Sequence, residues 1–558
     1  MSSVVRGRGR ITASLIASLG AVAAAGAVTT APAESVPPTG DCPTAFPVAS
    51  LVEDQLVEGL TVTRGTTPTE FTGKVIGVLK GGIAPDLDMI MMELDSAEIQ
   101  RVGGIWQGMS GSPVYTTSGE LIGAVAYGLA WGPSPVAGVT PYEKMDDYLT
   151  PSNSLARQVD VSSADAARIA AESDVTQNQA DQGFSRLPIP KTFNGVSGWR
   201  LDRAATMSPP HGKARPYVAR NAAATMAGAG ATADETALVA GGNLGASFAY
   251  GDITAGGVGT VTSVCDGRLV GFGHPMMFSG RTSLSMHPAS ALYVQKESLG
   301  APFKVANFAA PVGTITNDRT AGISGDLNVL PQTMDVTSTL TYPGKTRSGT
   351  THVSVPGANA EMTFYQQLVN HDAVLESYGP GSELQSWTIT GTDHGVPFEV
   401  SHTDRFASSS DIAFASPWDV ADVVWALSSM PGVVVEDVAV DGELADDHSI
   451  WRVRRLQQSR GGSWFTLSRR HPAIVREGGT LKVRALLDDG TRSRTVALSM
   501  SIPNQSRGAG GFISVGGGGS SWFNAGRADS VDELKSALST MARNDAVESR
   551  MFLESRRG

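Results

Sequence analysis

Hydrophobic positions along this chain form many short runs that alternate with glycine- and proline-containing turns. Runs of strand length include Thr72–Leu79 and Leu121–Tyr127, and a second block of such runs spans about 238–341. Apolar residues at three- and four-residue spacing over Glu361–Leu375 and Pro417–Met430 predict two helices. The pattern therefore predicts a mainly β protein with a few helices.

The last part of the chain returns to strands. Runs such as Val433–Val440 and Thr495–Ile502 have the spacing of a small immunoglobulin-like sandwich. A glycine-rich tail and a terminal helix follow, and Ser530 is the expected N-cap of that helix. The predicted segments are a leader (1–33), a first β half (34–150), a partly helical linker (151–237), a second β half (238–341), a mixed α/β extension (342–432), the sandwich (433–503) and the tail (504–558).

Composition narrows the class of protein. Only 17% of the 558 residues are charged, and the chain holds 64 glycines and 30 prolines, which disfavours coiled coils and long helical bundles. The net charge of −11 makes nucleic acid an unexpected partner, because phosphate binding requires a basic surface. The sequence contains neither CxxC nor HExxH, so we expect no metal and no cofactor.

The N-terminus has the pattern of a secretory signal. Three arginines within the first ten residues precede the apolar run Ile11–Val28 and the small residues Ala31-Pro32-Ala33. We expect cleavage after Ala33 and export to the cell envelope or beyond. The alternative is an uncleaved membrane anchor, because about 18 apolar residues can just span a bilayer.

Two cysteines, Cys42 and Cys265, follow the leader. In an exported protein they could form one disulfide, or they could remain separate thiols, and the sequence leaves both alternatives open.

The most specific stretch is Gly103–Tyr115, which reads GGIWQGMSGSPVY. Its Gly-x-Ser-Gly-x-Pro core puts Ser110 on a sharp turn, as in the nucleophile loop of chymotrypsin-like proteases. Such a turn directs the amides of Gly108 and Ser110 into one small space, where they can stabilise the oxyanion of a tetrahedral intermediate. Trp106 and Met109, beside the serine, are candidate walls of a substrate pocket.

This stretch and two others resemble the SpoIVB-type serine peptidases, a family in the trypsin-like clan. The other two are 256–275, which contains GTVT and ends in GFGHP, and 313–325, which reads GTITNDRTAGISG. The resemblance implies that Ser110 is the nucleophile and His274 the general base that a serine hydroxyl requires. It also implies that Asp95, 15 positions before Ser110 by difference (110 − 95), orients the imidazole.

In that family the histidine precedes the aspartate and the serine, whereas here it follows both. Because a catalytic triad depends on geometry and not on chain order, the resemblance implies a trypsin-like double β-barrel with permuted halves. It implies limited, regulatory cleavage of protein or peptide substrates, which includes self-cleavage. The oligomeric state stays undetermined.

The alternative is a catalytically inactive protein of protease fold that serves as a binding or scaffold module in the cell envelope. Asp86 and Asp88 are alternative orienting acids. The pairs His371-Asp372 and His402/Asp404 are interpreted as solvent-exposed polar turns.

Overall fold

The computed structural model describes residues 42–130, 132–145, 158–187, 191–206, 224–226, 238–297, 301–518 and 528–554. The predicted signal sequence lies outside these residues. The fold is mainly β, as the hydrophobic pattern predicts. The chain divides into two compact units, one formed by Glu34–Thr337 with Gly349–Val369 and the other by Ser338–Ser348 with Asn370–Gly558.

Six antiparallel strands in the first half close into a barrel. They are β1 (Leu56–Thr61), β2 (Thr69–Ala84), β3 (Leu87–Asp95), β4 (Pro113–Thr116), β5 (Leu121–Leu129) and β6 (Val136–Pro141). The order is β4-β1-β2-β3-β6-β5, and pairing of β4 with β5 closes the ring. Fully buried side chains such as Ile90, Val125 and Val139 fill its interior, which explains why these strands read as apolar runs.

Short elements connect the two halves: β7 (Gln158–Val159), β8 (Phe184–Arg186), β9 (Lys191–Asn194) and β10 (Ala224–Met226). The helices are α1 (Ala97–Val102), α2 (Tyr142–Met145), α3 (Ser163–Glu172), α4 (Gln177–Ala180), α5 (Gly198–Thr206), α6 (Asn359–Leu375), α7 (Pro417–Ser428) and α8 (Val531–Thr540). Among the described helices, none has both the length and the hydropathy that a membrane span requires.

A second barrel follows within the predicted second half. Its chain segments are β11 (Asn243–Gly251), β12 (Thr254–Cys265), β13 (Arg268–Gly271), β14 (Gly280–Gln295), β15 (Phe303–Phe308), β16 (Gly313–Arg319) and β17 (Gly322–Leu327). The ring order is β14-β16-β17-β13-β12-β11, closed by pairing of β11 with β14, while β15 adds to β14 from outside the ring. Two closed six-stranded barrels are the architecture expected of a trypsin-like core.

The remaining strands are β18 (Met334–Tyr342), β19 (Lys345–Val353), β20 (Gly381–Asp393), β21 (Val396–Ser408), β22 (Val433–Ala445), β23 (Arg452–Arg460), β24 (Ser463–Thr466), β25 (Thr480–Asp488), β26 (Ser493–Ser501), β27 (Gly510–Gly517) and β28 (Val547–Glu554). The predicted helices are present as α6 and α7. In α8 the Ser530 hydroxyl accepts the Glu533 amide at 3.3 Å, so Ser530 is the N-cap.

The immunoglobulin-like sandwich expected over 433–503 is not confirmed. Strand β22 pairs with β20, which in turn pairs with β21, so the first predicted strand belongs to another sheet. The rest, β23 to β26, forms a four-stranded antiparallel sheet. Strand spacing alone could not separate these sheets, because it does not specify which strands pair.

Cys42 and Cys265 form a disulfide that ties the chain before β1 to the end of β12. The two residues are 223 positions apart in sequence. A cross-link of this span removes much conformational freedom from the unfolded chain.

Replacing both cysteines with serine is expected to lower the free energy of unfolding by about 2–4 kcal/mol, because the unfolded chain regains loop entropy. Chemical denaturation of the wild type and the double variant measures the difference. An unchanged denaturation midpoint would show that the cross-link contributes nothing to stability.

A buried imidazole lies on strand β14 of the second barrel. His287 on β14 is completely buried; its Nε2 lies 2.8 Å from the Ser247 hydroxyl and its Nδ1 lies 2.9 Å from the Ala309 carbonyl oxygen. Desolvation lowers the pKa of His287 from 6.5 to about 4, so the folded protein holds this ring neutral.

Between pH 6.5 and about 4, the unfolded chain therefore binds a proton at His287, whereas the folded protein does not. The contribution of this site to the free energy of unfolding falls as pH falls through that window. We expect the wild type to lose more unfolding free energy between pH 6.5 and 4.5 than His287→Gln. Denaturant titrations at several pH values provide the test, and parallel pH profiles would contradict it.

Candidate active site

Ser110 lies on the turn that connects α1 to β4. The Ser96 hydroxyl caps α1 by accepting the Ile99 amide at 3.2 Å, and Gly103 ends the helix with a positive φ of 90°. Capping at both ends fixes where the helix stops and the turn begins. The local sequence thus sets the start of the nucleophile loop.

Hydrogen bonds to the first barrel hold this turn. The Gly111 amide donates to the Val125 carbonyl at 2.7 Å, and the Ser112 amide donates to the Met109 carbonyl at 2.9 Å. The buried Ser112 hydroxyl donates to the hydroxyl of Thr61 at 2.9 Å. Ser112, the other serine of the motif, therefore anchors the loop.

Two threonines of the second barrel hold the same turn from the other side. Thr260 donates its amide to the Ser110 carbonyl at 2.8 Å and its hydroxyl to the Gly108 carbonyl at 3.0 Å. The Thr262 hydroxyl donates to the Gly111 carbonyl at 2.8 Å. Both belong to the GTVT segment; the sequence singled out this motif but did not predict what its hydroxyls bind.

The contact leaves no room for a side chain at Gly111. A Cβ atom there would lie 2.0 Å from the Thr260 carbonyl oxygen and 2.5 Å from the Phe272 amide nitrogen. The residue also has a φ of 97°, which glycine adopts readily. The glycine after the serine is required by the close approach of the two barrels.

The structure brings Ser110 and His274 together. Nε2 of His274 lies 2.9 Å from Oγ of Ser110, and both residues are buried. Nδ1 of His274 lies 2.9 Å from the carbonyl oxygen of Pro275. Since a carbonyl can only accept, Nδ1 carries the proton and Nε2 presents its lone pair to the serine hydroxyl, which is the tautomer a general base requires.

The amides of Gly108 and Ser110 complete the arrangement. Within the described residues, no acceptor receives either amide hydrogen, and Gly108 has a φ of 93°. Two amides without an acceptor, next to the serine hydroxyl, are the kind of donors that can stabilise an oxyanion.

The structure does not bring Asp95 to His274. Asp95 is the last residue of β3, its side chain is exposed, and it accepts a hydrogen bond from the Gln100 side chain at 2.8 Å. It lines a cavity of about 800 Å³ on the first barrel together with Lys74 and Glu93. Sequence spacing placed this acid near the serine along the chain, but the end of β3 directs it elsewhere.

The two alternative acids lie at the β2–β3 hairpin. Asp88 forms an ion pair with Lys80 at 2.7 Å and accepts the Gly81 amide at 2.8 Å. Asp86 occupies the turn with a φ of 61°. The contacts of Asp88 and the backbone conformation of Asp86 are therefore those of a β-hairpin.

Trp106 and Met109 do not line an open pocket. Both side chains are fully buried in the core of the first barrel, among residues such as Ile90 and Val114. The loop turns these side chains inward, so their role is packing.

Sequence analysis did not identify the second serine–histidine pair, Ser247 and His287. Its contacts resemble those of Ser110 and His274, but Ser247 lies within β11, between β12 and β14, and not on a tight turn. Sequence analysis also missed Asp318, a buried carboxylate that accepts amides of the loop after His274. Neither has a motif of its own, although Asp318 lies in the 313–325 stretch.

The residues of the His371-Asp372 and His402/Asp404 pairs, interpreted as solvent-exposed polar turns, are not exposed: His371 is buried, Asp372 is half-buried, and the other two are nearly buried. His371 lies in α6, with Nε2 2.9 Å from Oε2 of Glu383, and both side chains are inaccessible. His402 and Asp404 lie on β21 with nearly buried side chains, 4.0 Å apart. That interpretation was wrong, because a helix and a strand direct these polar groups inward.

In the described part of the chain, the one grouping of potential metal ligands is Cys42, Cys265 and Asp266. Its two sulfurs are joined in the disulfide, so they cannot act as thiolate ligands.

Comparison with known proteins bears on the first barrel. Residues 35–142 match the SpoIVB peptidase S55 family, and this segment contains the whole barrel and Ser110. No curated protein and no solved structure matches the chain. The resemblance to SpoIVB-type serine peptidases is thereby confirmed over the segment that carries the nucleophile loop.

Proposed function

We propose that the protein is an exported serine endopeptidase in which Ser110 is the nucleophile and His274 the general base. The family match and the double barrel support a serine protease. The residue assignment rests on the 2.9 Å contact between Ser110 Oγ and His274 Nε2. Beside this contact, the N–H groups of Gly108 and Ser110 have no acceptor within the described residues.

In the proposed reaction, Ser110 Oγ attacks the scissile carbonyl carbon while its proton passes to Nε2 of His274. The amides of Gly108 and Ser110 stabilise the negative oxygen of the tetrahedral intermediate. His274 then returns the proton to the leaving amine, and the acyl ester forms. A water molecule activated by the same imidazole hydrolyses the ester and restores the enzyme.

Burial of the site supports limited cleavage. Ser110 is 1% exposed and His274 is inaccessible, so a polypeptide substrate requires local opening before it reaches the nucleophile. Such a requirement favours a few regulatory cleavages over bulk digestion. Protein substrates, the chain itself included, fit this form of activity.

Export is supported by the disulfide. Structural disulfides are typical of proteins in oxidising compartments outside the cytosol. The Cys42–Cys265 bond therefore agrees with the predicted secretory signal.

A second candidate is an inactive binding or scaffold protein of protease fold. The position of Asp95 favours it, since the carboxylate expected to orient His274 lies elsewhere and accepts from Gln100. Covalent labelling separates the two functions.

A fluorophosphonate probe is expected to label the wild type, with the fluoride leaving as Ser110 Oγ bonds to phosphorus. Ser110→Ala and His274→Gln should each reduce the labelling rate by about a thousandfold or more, because nucleophile and base act as a unit. Intact-protein mass spectrometry measures the added mass.

Ser247→Ala is the matched control, because it removes a hydroxyl that is also bonded to a buried imidazole, at 2.8 Å. It should label like the wild type. Loss of labelling in Ser247→Ala alone would assign the nucleophile to Ser247, and an unlabelled wild type would favour the binding protein.

Gly111→Ala should reduce labelling by about tenfold or more, because its methyl group meets the Thr260 carbonyl and displaces the loop. Gly119→Ala is the control for backbone strain: its φ is 90° and no atom lies within 4 Å of the added Cβ. Equal labelling in the two variants would contradict a role for the close approach.

A further inference from the structure

The loop that carries His274, residues 272–279, has an unusual backbone. Phe272 has a φ of 68° and Phe278 a φ of 61°, conformations that bulky residues rarely adopt. Such conformations are unfavourable for these residues and persist where surrounding contacts impose them. The position of His274 therefore depends on what holds this loop.

Asp318 holds it. Its carboxylate, fully buried near the end of β16, accepts three backbone amides of the loop: Met276 at 2.7 Å, Met277 at 2.7 Å and Ser279 at 3.1 Å. Hydrogen bonds to an ionised acceptor are stronger than neutral ones. One side chain thus fixes most of the loop after the histidine.

One peptide group links Asp318 to the imidazole. The peptide between Pro275 and Met276 donates its N–H to Asp318 Oδ1, and its carbonyl oxygen lies 2.9 Å from Nδ1 of His274. A carboxylate that binds the N–H of a peptide polarises its carbonyl and makes it a better acceptor. The sequence of contacts runs from Asp318 through this peptide to His274 and on to Ser110.

We propose that Asp318 is a positioning residue that acts on His274 through the Pro275–Met276 peptide, in the place that an orienting aspartate takes by direct contact. It keeps the proton on Nδ1, aligns Nε2 with the Ser110 hydroxyl and favours the positive charge that the ring gains in the reaction. The inference rests on the proposed function for its catalytic meaning and on the loop contacts for its geometry.

The test compares Asp318→Asn with the wild type by two measurements. The first is saturation kinetics of fluorophosphonate labelling, which separates probe binding from the covalent step. We expect the covalent step to slow by roughly tenfold to a hundredfold with probe binding unchanged, since only the alignment of the base is altered. Reduced probe binding with an unchanged covalent step would overturn the proposal.

The second measurement is ¹⁵N NMR of the histidine side chains, with His274 assigned by comparison with His274→Gln. The wild type should show His274 protonated at Nδ1, and Asp318→Asn should show a mixture of tautomers. This signature does not require activity. If the wild type is not labelled, the proposed function fails, while the tautomer still decides the role of Asp318.

Asp326→Asn is the matched control, because it removes a partly exposed carboxylate, paired with Arg268, on the adjacent strand β17. It should leave both measurements unchanged. If Asp318→Asn keeps the wild-type labelling kinetics and the wild-type tautomer of His274, the proposal is overturned. Should that variant not fold, hydrogen exchange on the wild type decides: the proposal requires a protected Met276 amide, and rapid exchange there contradicts it.

Discussion

The geometry of the candidate active site depends on the hydrogen bonds that Thr260 makes to the loop carrying Ser110. Thr260 belongs to the second barrel, yet its amide and hydroxyl donate to the carbonyl oxygens of Ser110 and Gly108 in the loop of the first barrel. Ser110 and His274 are 164 positions apart, so no local contact can keep them 2.9 Å from each other. The neutral hydrogen bonds from Thr260 and Thr262 and the packing around them hold the pair.

Glycine residues make this contact possible, because the backbones of the two barrels approach each other closely. A Cβ at Gly259 would lie 3.0 Å from the carbonyl oxygen of Ser110, and one at Gly273 would lie 3.0 Å from the methyl group of Ala126. Side chains at such positions would push the serine and histidine segments apart. At these sites, glycine is a steric requirement of the contact between the serine and histidine segments.

The imidazole environment differs from a triad with a directly bonded acid. Nδ1 faces a neutral carbonyl, which sets the tautomer but stabilises an imidazolium less than an anion does. The negative charge of Asp318 is linked to the ring through one peptide group. The side chains of Ser110 and His274 are also both buried.

The sequence by itself determined the local chemistry: the mainly β class, the turn that carries Ser110, and the pairing of that serine with His274 through resemblance. These follow from short-range patterns, since turn residues and alternation act within a few positions. Only the tertiary structure decided which acid approaches the histidine, that Trp106 and Met109 are core residues, and that β22 leaves the expected sandwich. Such facts depend on how distant strands pair and which way each strand end points, and a linear spacing such as that between Asp95 and Ser110 contains neither.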